Sequence, residues 1–274
     1  MNCERLSQDK STLFFKYSFI YDIFQLFCLR FCNFGYQVIE IEFDCTGLRE
    51  MMMQREITIS DRLYDVCPAF RMAAIACKVK NSSYNVTLWR EIEAFTTQFA
   101  SSCKVEEIKQ RPAILATRET YKKLGKDPNR YRPSAEALCR RILKGQALYQ
   151  INTLVDLINL VSLKTGYSIG GFDLDRIEGD LILGVGEPDE RFEAIGRGLL
   201  NIEGLPVYRD NVGGIGTPTS DEERTRITAA TSHLLMIINA YSGEVGLLEA
   251  VDYSTELLKK YVDTEEIRVQ YGEK

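Results

Sequence analysis

The chain has 274 residues, 45% of them hydrophobic and 27% charged, with a formal net charge of −5. That length offers enough surface to bury a stable core, as one large domain or two small ones. The acidic balance excludes a binder that neutralises phosphates over its whole surface, so any RNA contact must come from a local basic patch.

Eight cysteines include no CxxC pair, which argues for buried reduced thiols rather than a zinc site. The single histidine, His233, excludes multi-histidine metal sites, and no GxSxG elbow accompanies it. Neither a metal nor a cofactor is expected.

From Leu13 to Phe43 the chain is crowded with Phe, Tyr, Ile and Cys. Lys16, Asp22 and Arg30 interrupt this run too often for a membrane span, and Glu4 and Asp9 do not suit a secretory signal. Met51-Met52-Met53 then opens a chain of ordinary patterning. Residues 1–50 read as a spurious upstream extension or a disordered segment, and 51–274 as a single domain. The alternative is a genuine amphipathic helix or a membrane-surface anchor. A peptide spanning 20–40 in the mass spectrum of the native protein would overturn the extension. The expected location is cytoplasmic, with no membrane partner.

Glu56–Ile59 reads as a short strand and Phe70–Val79 as a buried one. Leu88, Ile92, Phe95 and Phe99 recur at helical spacing within 86–103, with Trp89 flanking that stripe. Pro112 opens a helix that stops at Gly125. After the proline-rich connection 126–133, Ser134 is expected to cap a helix running to Lys144. Asn152 or Thr153 caps the most apolar helix, Leu154–Lys164, closed by Gly166. Strands follow at 181–185, 205–209 and 234–240, and an amphipathic helix at 245–261. Helices gather in the first half and strands in the second, an α+β organisation within the α/β class.

Three features carry possible chemistry. Residues 104–144 are locally basic, and Arg130-Tyr131-Arg132 sets an aromatic between two guanidiniums, a pattern suited to phosphate contact with base stacking. The simpler reading, a solvated helix face, is better for Lys122, Lys123 and Lys126. Asn152, Asp156 and Asn159 share one face of the apolar helix, where backbone hydrogen bonding is a better account than a ligand. Gly213–Ser220 followed by Asp221 is a glycine-rich loop without GK[ST], hence no P-loop. A tight turn and a ligand-contacting loop are equal readings of it.

Pro133-Ser134, Leu138, Arg140-Arg141-Ile142-Leu143, Ile151-Asn152, Leu154-Val155-Asp156, Asn159 and Val161 resemble the central domain of the phenylalanyl-tRNA synthetase beta subunit. There a PSP-x-W-L-Q-x-R-L helix leads into I-N-N-x-V-D-x-T-N-Y-V. Gly166 and Phe172-Asp173-Leu174-Asp175 continue the pattern, similar to G-Q-P-x-H-A-F-D-L-D. The specific match covers about 133–180 and a looser one reaches about 240.

The resemblance implies helices layered on a β-sandwich of unusual topology, and a domain that binds tRNA and hydrolyses wrongly attached tyrosine. It implies a pocket of Asn152, Asp156, Ile158, Asn159, Gly170, Gly171, Asp173, Thr217 and Asp221. Phosphates would meet Arg130, Arg132, Arg140 and Arg141. Two departures bear on the reaction: Ile158 stands where the family has Thr, and Gly170-Gly171 where it has His-Ala. No catalytic residue is assigned.

The expected partner is tRNA or the 3′ end of aminoacyl-tRNA, with editing in trans as the reaction and no capacity to charge tRNA alone. The alternative is a non-catalytic module of the same fold that binds an amino acid or related metabolite. Oligomeric state is open.

Overall fold

The computed structural model describes residues 55–272; the reading of 1–50 lies outside them. They belong to the compact unit Thr46–Lys274.

Two four-stranded sheets form the frame. The first has strand order β1 (Ile57–Ile59), β4 (Leu181–Val185), β7 (Pro206–Arg209), β8 (Gly214–Gly216). The second runs β10 (Asp263–Gly272), β2 (Arg71–Lys80), β9 (His233–Ala240), β3 (Ile169–Asp173). The β1–β4 pair is parallel and the other pairs are antiparallel. A small hairpin, β5 (Glu193–Ala194) and β6 (Gly198–Leu199), stands apart.

The central strands of the second sheet explain the layering. Side chains alternate across a strand. Ala73, Ile75 and Cys77 of β2, with Leu234, Met236 and Ile238 of β9, face a core shared with helices. Met72, Ala74 and Ala76, with Leu235 and Ile237, face the first sheet. Both faces are dry, which is why these segments read as unbroken apolar runs rather than alternating ones.

The helical layer contains α2 (Val86–Ser102), α4 (Ser134–Leu143), α5 (Thr153–Thr165) and α6 (Leu247–Tyr261). A short α1 (Asp61–Val66) contributes Leu63 to the core between the sheets. Tyr121 of α3 (Pro112–Lys123) packs with Phe192, Ala194, Ile202, Leu205 and Val207 in a third cluster.

The expected α+β organisation with sheet packed on sheet is what the fold shows. Asn152 caps α5 by accepting from the Val155 N–H, and Gly166 closes it at φ 85°, a left-handed conformation that suits glycine. Ser134 is not the cap it was expected to be: it is the first helical residue, behind Pro133. Its N–H donates to the Pro218 carbonyl, so a distant loop satisfies that donor. Among the described residues five strands were missed: the short β5, β6 and β8, and the longer β3 and β10. β3 carries Gly170-Gly171, poor strand formers, and β10 is a half-buried edge strand with a register shift between Glu265 and Arg268.

Candidate functional site

β3 is the outer strand of its sheet, paired with β9 on one side and bridged on the other by Phe172 to Arg226 alone among the described residues. Alternate N–H groups of such a strand point away from its partner and need acceptors elsewhere. The Asp173 N–H donates to the Thr225 carbonyl at 2.9 Å, and the Gly171 N–H to Asp221 Oδ2 at 3.2 Å. The segment after β8 thus covers the edge of β3, and it brings a carboxylate there.

Glycines make that approach possible. A Cβ on Gly216 would lie 2.9 Å from Asp221 Oδ1 and 2.6 Å from the Phe172 ring. One on Gly170 would lie 2.7 Å from the same ring and 3.7 Å from Oδ1. Phe172, fully buried, therefore fills the space that side chains at 170 and 216 would occupy. On the other face, a Cβ on Gly171 would lie 2.6 Å from Ile158 Cδ1 and 3.0 Å from Ile227 Cδ1.

The departures from the family pattern come with two packing contacts, one on each face of β3. Isoleucine at 158 adds Cδ1 relative to threonine, and that atom occupies the volume an alanine methyl at 171 would need. At 170, a Cβ would lie 2.7 Å from the Phe172 ring, so the space beside this glycine is already filled.

Asp221 is partly buried among these apolar groups. Burial pushes its carboxyl up to about 7, and the Gly171 N–H opposes that only in part. Its Oδ1 receives no hydrogen bond among the described residues. The arrangement is an acceptor oxygen beside an aromatic ring and two glycines, able to take a hydroxyl or ammonium donor.

Ile158, Gly170, Gly171 and Asp221 therefore meet, joined by Phe172, Gly216 and Ile227, which sequence reasoning did not assign. The other expected pocket residues serve elsewhere. Asn152 is the α5 cap. Asp156 accepts from Trp89 Nε1 at 2.8 Å and from the Ile151 N–H at 3.0 Å, and burial raises its carboxyl. Asn159 is partly buried on the same helix. Asp173 accepts from the Asp175 N–H and from Thr231 Oγ at 2.8 Å, at the far end of β3. Thr217 Oγ accepts from the Thr219 and Ser220 N–H groups and donates to the Ser220 carbonyl, holding the turn before Asp221. Thr217 and Asp173 support the site through the backbone.

The four expected phosphate contacts divide. Arg140 Nε donates to Glu136 Oε1 at 2.7 Å, and Arg132 Nε lies 3.5 Å from the same oxygen. Arg118 takes the other oxygen at 2.7 Å. Arg141 lies over the Tyr149 ring at 3.7 Å, and exposed Arg130 over Tyr131 at 5.5 Å.

His233 Nδ1 meets Asp175 Oδ1 at 2.8 Å, while Ser232 Oγ donates to Asp175 Oδ2 at 3.0 Å. The serine and the aspartate lie toward one ring nitrogen, which is not the serial order of a triad. A cavity of about 200 Å3, lined by Arg55, Ile57, Ala74, Ala76 and Leu235 among others, shares no residue with the Asp221 site. Among the described residues no cluster of three or more His, Cys, Asp or Glu could hold a metal, and no helix is long and apolar enough to cross a membrane.

A search of curated proteins found no match. Among solved structures, the chain is similar to an N-terminal fragment of the phenylalanyl-tRNA synthetase beta-subunit from Pyrococcus horikoshii. The TM-score is 0.40 at 14% identity, over 78% of this chain and 49% of that one. The chain thus spans about half the length of that structure. The family model described as "B3/4 domain" matches residues 116–263, more than half of the chain and the whole of the Ile158–Asp221 site. The chain belongs to the B3/4 domain family, as a phenylalanyl-tRNA synthetase beta-like domain.

Proposed function

We propose that the chain binds tRNA through the 3′ end of an aminoacyl-tRNA and hydrolyses a mischarged ester in trans, with the Asp221 site reading the amino acid. The observation that carries this is the free Oδ1 of Asp221, an acceptor beside the Phe172 ring with its partner oxygen tied to the Gly171 N–H. A side chain ending in a hydroxyl matches that oxygen, hydroxyl to carboxylate. An acceptor partly withdrawn from water discriminates, because the analogue lacking the hydroxyl leaves it unpaired. Kinship with a domain from a tRNA synthetase supports RNA as the bearer of that group. In the reaction, water adds to the ester carbonyl, and the products are the free amino acid and the tRNA 3′ hydroxyl.

The test is deacylation of tyrosine- and alanine-charged tRNA by the full chain and by Asp221→Asn. Release of tyrosine is expected to be faster than that of alanine, with the variant slower by roughly ten-fold or more. Because a carboxylate accepts from a hydroxyl better than a carboxylic acid does, selectivity for tyrosine should rise as pH passes through about 7. Absence of turnover, together with absence of salt-dependent tRNA binding, would contradict the proposal.

One observation favours a second reading, a non-catalytic module that binds an amino acid or related metabolite. Phe172 and the glycines beside it make the surroundings of Asp221 apolar, and no hydroxyl or imidazole stands at 158 or 170 to position a water. An amino acid carried through purification, with no deacylation, would support that reading.

A further inference from the structure

Glu136 anchors more positive charge than it balances. Its side chain is 0% exposed, and its two oxygens face the guanidiniums of Arg118, Arg132 and Arg140. Arg118 is spent within the fold: Nη1 also reaches the Pro128 carbonyl, and Nη2 the Asn129 side chain. Arg132 and Arg140 differ. Both approach Oε1 through Nε, at 3.5 and 2.7 Å, and neither has an Nη hydrogen bond to any described residue. Their side chains are 41% and 18% exposed.

One carboxylate oxygen thus accepts from Arg140 Nε and faces Arg132 Nε, which is buried without a hydrogen bond, and the outer nitrogens of both are left for something else. Three cations against one anion leave a local excess of two. Held side by side without a further anion, two guanidiniums repel. A phosphate relieves that repulsion and accepts from both forks, the geometry for which arginine is suited.

We infer that Arg132 and Arg140, fixed by Glu136, form a two-arginine clamp for one phosphate group. The clamp sits at the start of α4, whose Ser134 N–H is bonded to Pro218 and whose Ala135 N–H faces Ser168 Oγ. Those donors are used, so the guanidiniums alone hold the anion. The same bonds tie the start of α4 to the loop that delivers Asp221 and to the residue preceding β3. A phosphate held there lies on the elements that build the Asp221 site, as a nucleotide phosphate near the ester end of an RNA would. This assignment of the clamp to RNA rests on the function proposed above; the clamp itself does not.

The test is titration of the full chain with inorganic phosphate and, separately, with an uncharged tRNA transcript at stepped salt concentrations. The comparison set is wild type, Arg132→Gln, Arg140→Gln and Arg132→Lys, with Lys259→Gln, an exposed charge on α6, as the control. Thermal melts confirm folding of each. Each Gln variant should bind the transcript roughly ten-fold more weakly, with the log–log salt slope reduced by about one, while Lys259→Gln matches wild type. Arg132→Lys should recover the slope but not the full affinity, since an ammonium cannot fork.

Phosphate binding that both Gln variants lose, with no effect on the transcript, supports the clamp and assigns it to a small phosphate compound. Clamp-dependent tRNA binding without any deacylation supports the clamp and removes the hydrolytic reading. If the Gln variants equal Lys259→Gln for both ligands, or neither ligand binds, the inference is overturned.

Discussion

Two carboxylates withdrawn from water, Glu136 and Asp221, sit at opposite extremes of compensation. Glu136 is fully enclosed, faces three guanidiniums, and ties α3 to α4. Asp221 is partly open, has one backbone N–H on Oδ2, and lies beside an aromatic ring and glycines. Burying a charge is tolerable when partners satisfy it, and otherwise the group moves toward its neutral form. The first carboxylate is therefore a structural hub. The second, pushed up to about 7, is held ready for a donor that the protein itself does not supply.

The largest effect expected from this contrast is at the hub. Glu136→Gln leaves the buried Arg118 without its counter-charge and should cost about 3–5 kcal/mol in urea unfolding. A loss below about 1 kcal/mol would mean the network is not the anchor described here.

Next comes the packing of Ile158 against Gly171 on β3. Gly171→Ala forces a methyl against Ile158 Cδ1 and should cost about 1–3 kcal/mol. Ile158→Val removes that Cδ1 and alone should cost about 0.5–1.5 kcal/mol. The pair combined should be less destabilised than the sum, and a double-mutant cycle measures the coupling. Additive costs would show that the two positions do not compete for one volume.

The third effect is smaller and depends on pH. The folded-state pKa of Asp221 is raised above its unfolded value. Between about pH 4 and pH 7 the folded state therefore binds the extra proton, and stability falls as pH rises through that window. Asp221→Asn removes this loss while keeping an acceptor for the Gly171 N–H. The variant should match wild type near pH 4 and be increasingly more stable than it toward pH 8. Equal stability at both pH values would contradict the placement of this carboxylate. The smallest change is expected from Arg132→Gln, whose half-exposed ion pair contributes roughly 1 kcal/mol or less to stability.

Much of the frame was legible in the residues. The apolar runs of β2 and β9, the Pro112 start, the Asn152 cap and the Gly166 stop each follow from local chemistry, and each appears in the fold. What escaped depended on tertiary partners. β3 is a strand because β9 and the Asp221 segment satisfy its backbone on both sides, although Gly170-Gly171 locally disfavour it. Ser134 gives up capping because a loop more than eighty residues away supplies the acceptor.

The site was half legible for the same reason. Ile158, Gly170, Gly171 and Asp221 converge, but Phe172 and Gly216 belong to it through a ring that crosses between the sheets, which no local pattern encodes. Asn152 and Asp156 share a helix with Ile158 but face other work, at the cap and at Trp89. A polar residue beside the right motif is thus no guide to the side of the helix on which the ligand lies.

The most direct test of the account is the titration of Asp221 by carbon NMR of its side-chain carboxyl, with and without tyrosine amide. A carboxyl in the surroundings described titrates near 7 in the free protein. A hydroxyl donated to Oδ1 favours the charged form, so the ligand should draw that value down, while phenylalanine amide leaves it in place. Titration in the ordinary carboxylate range, or an identical response to both amides, would contradict the account.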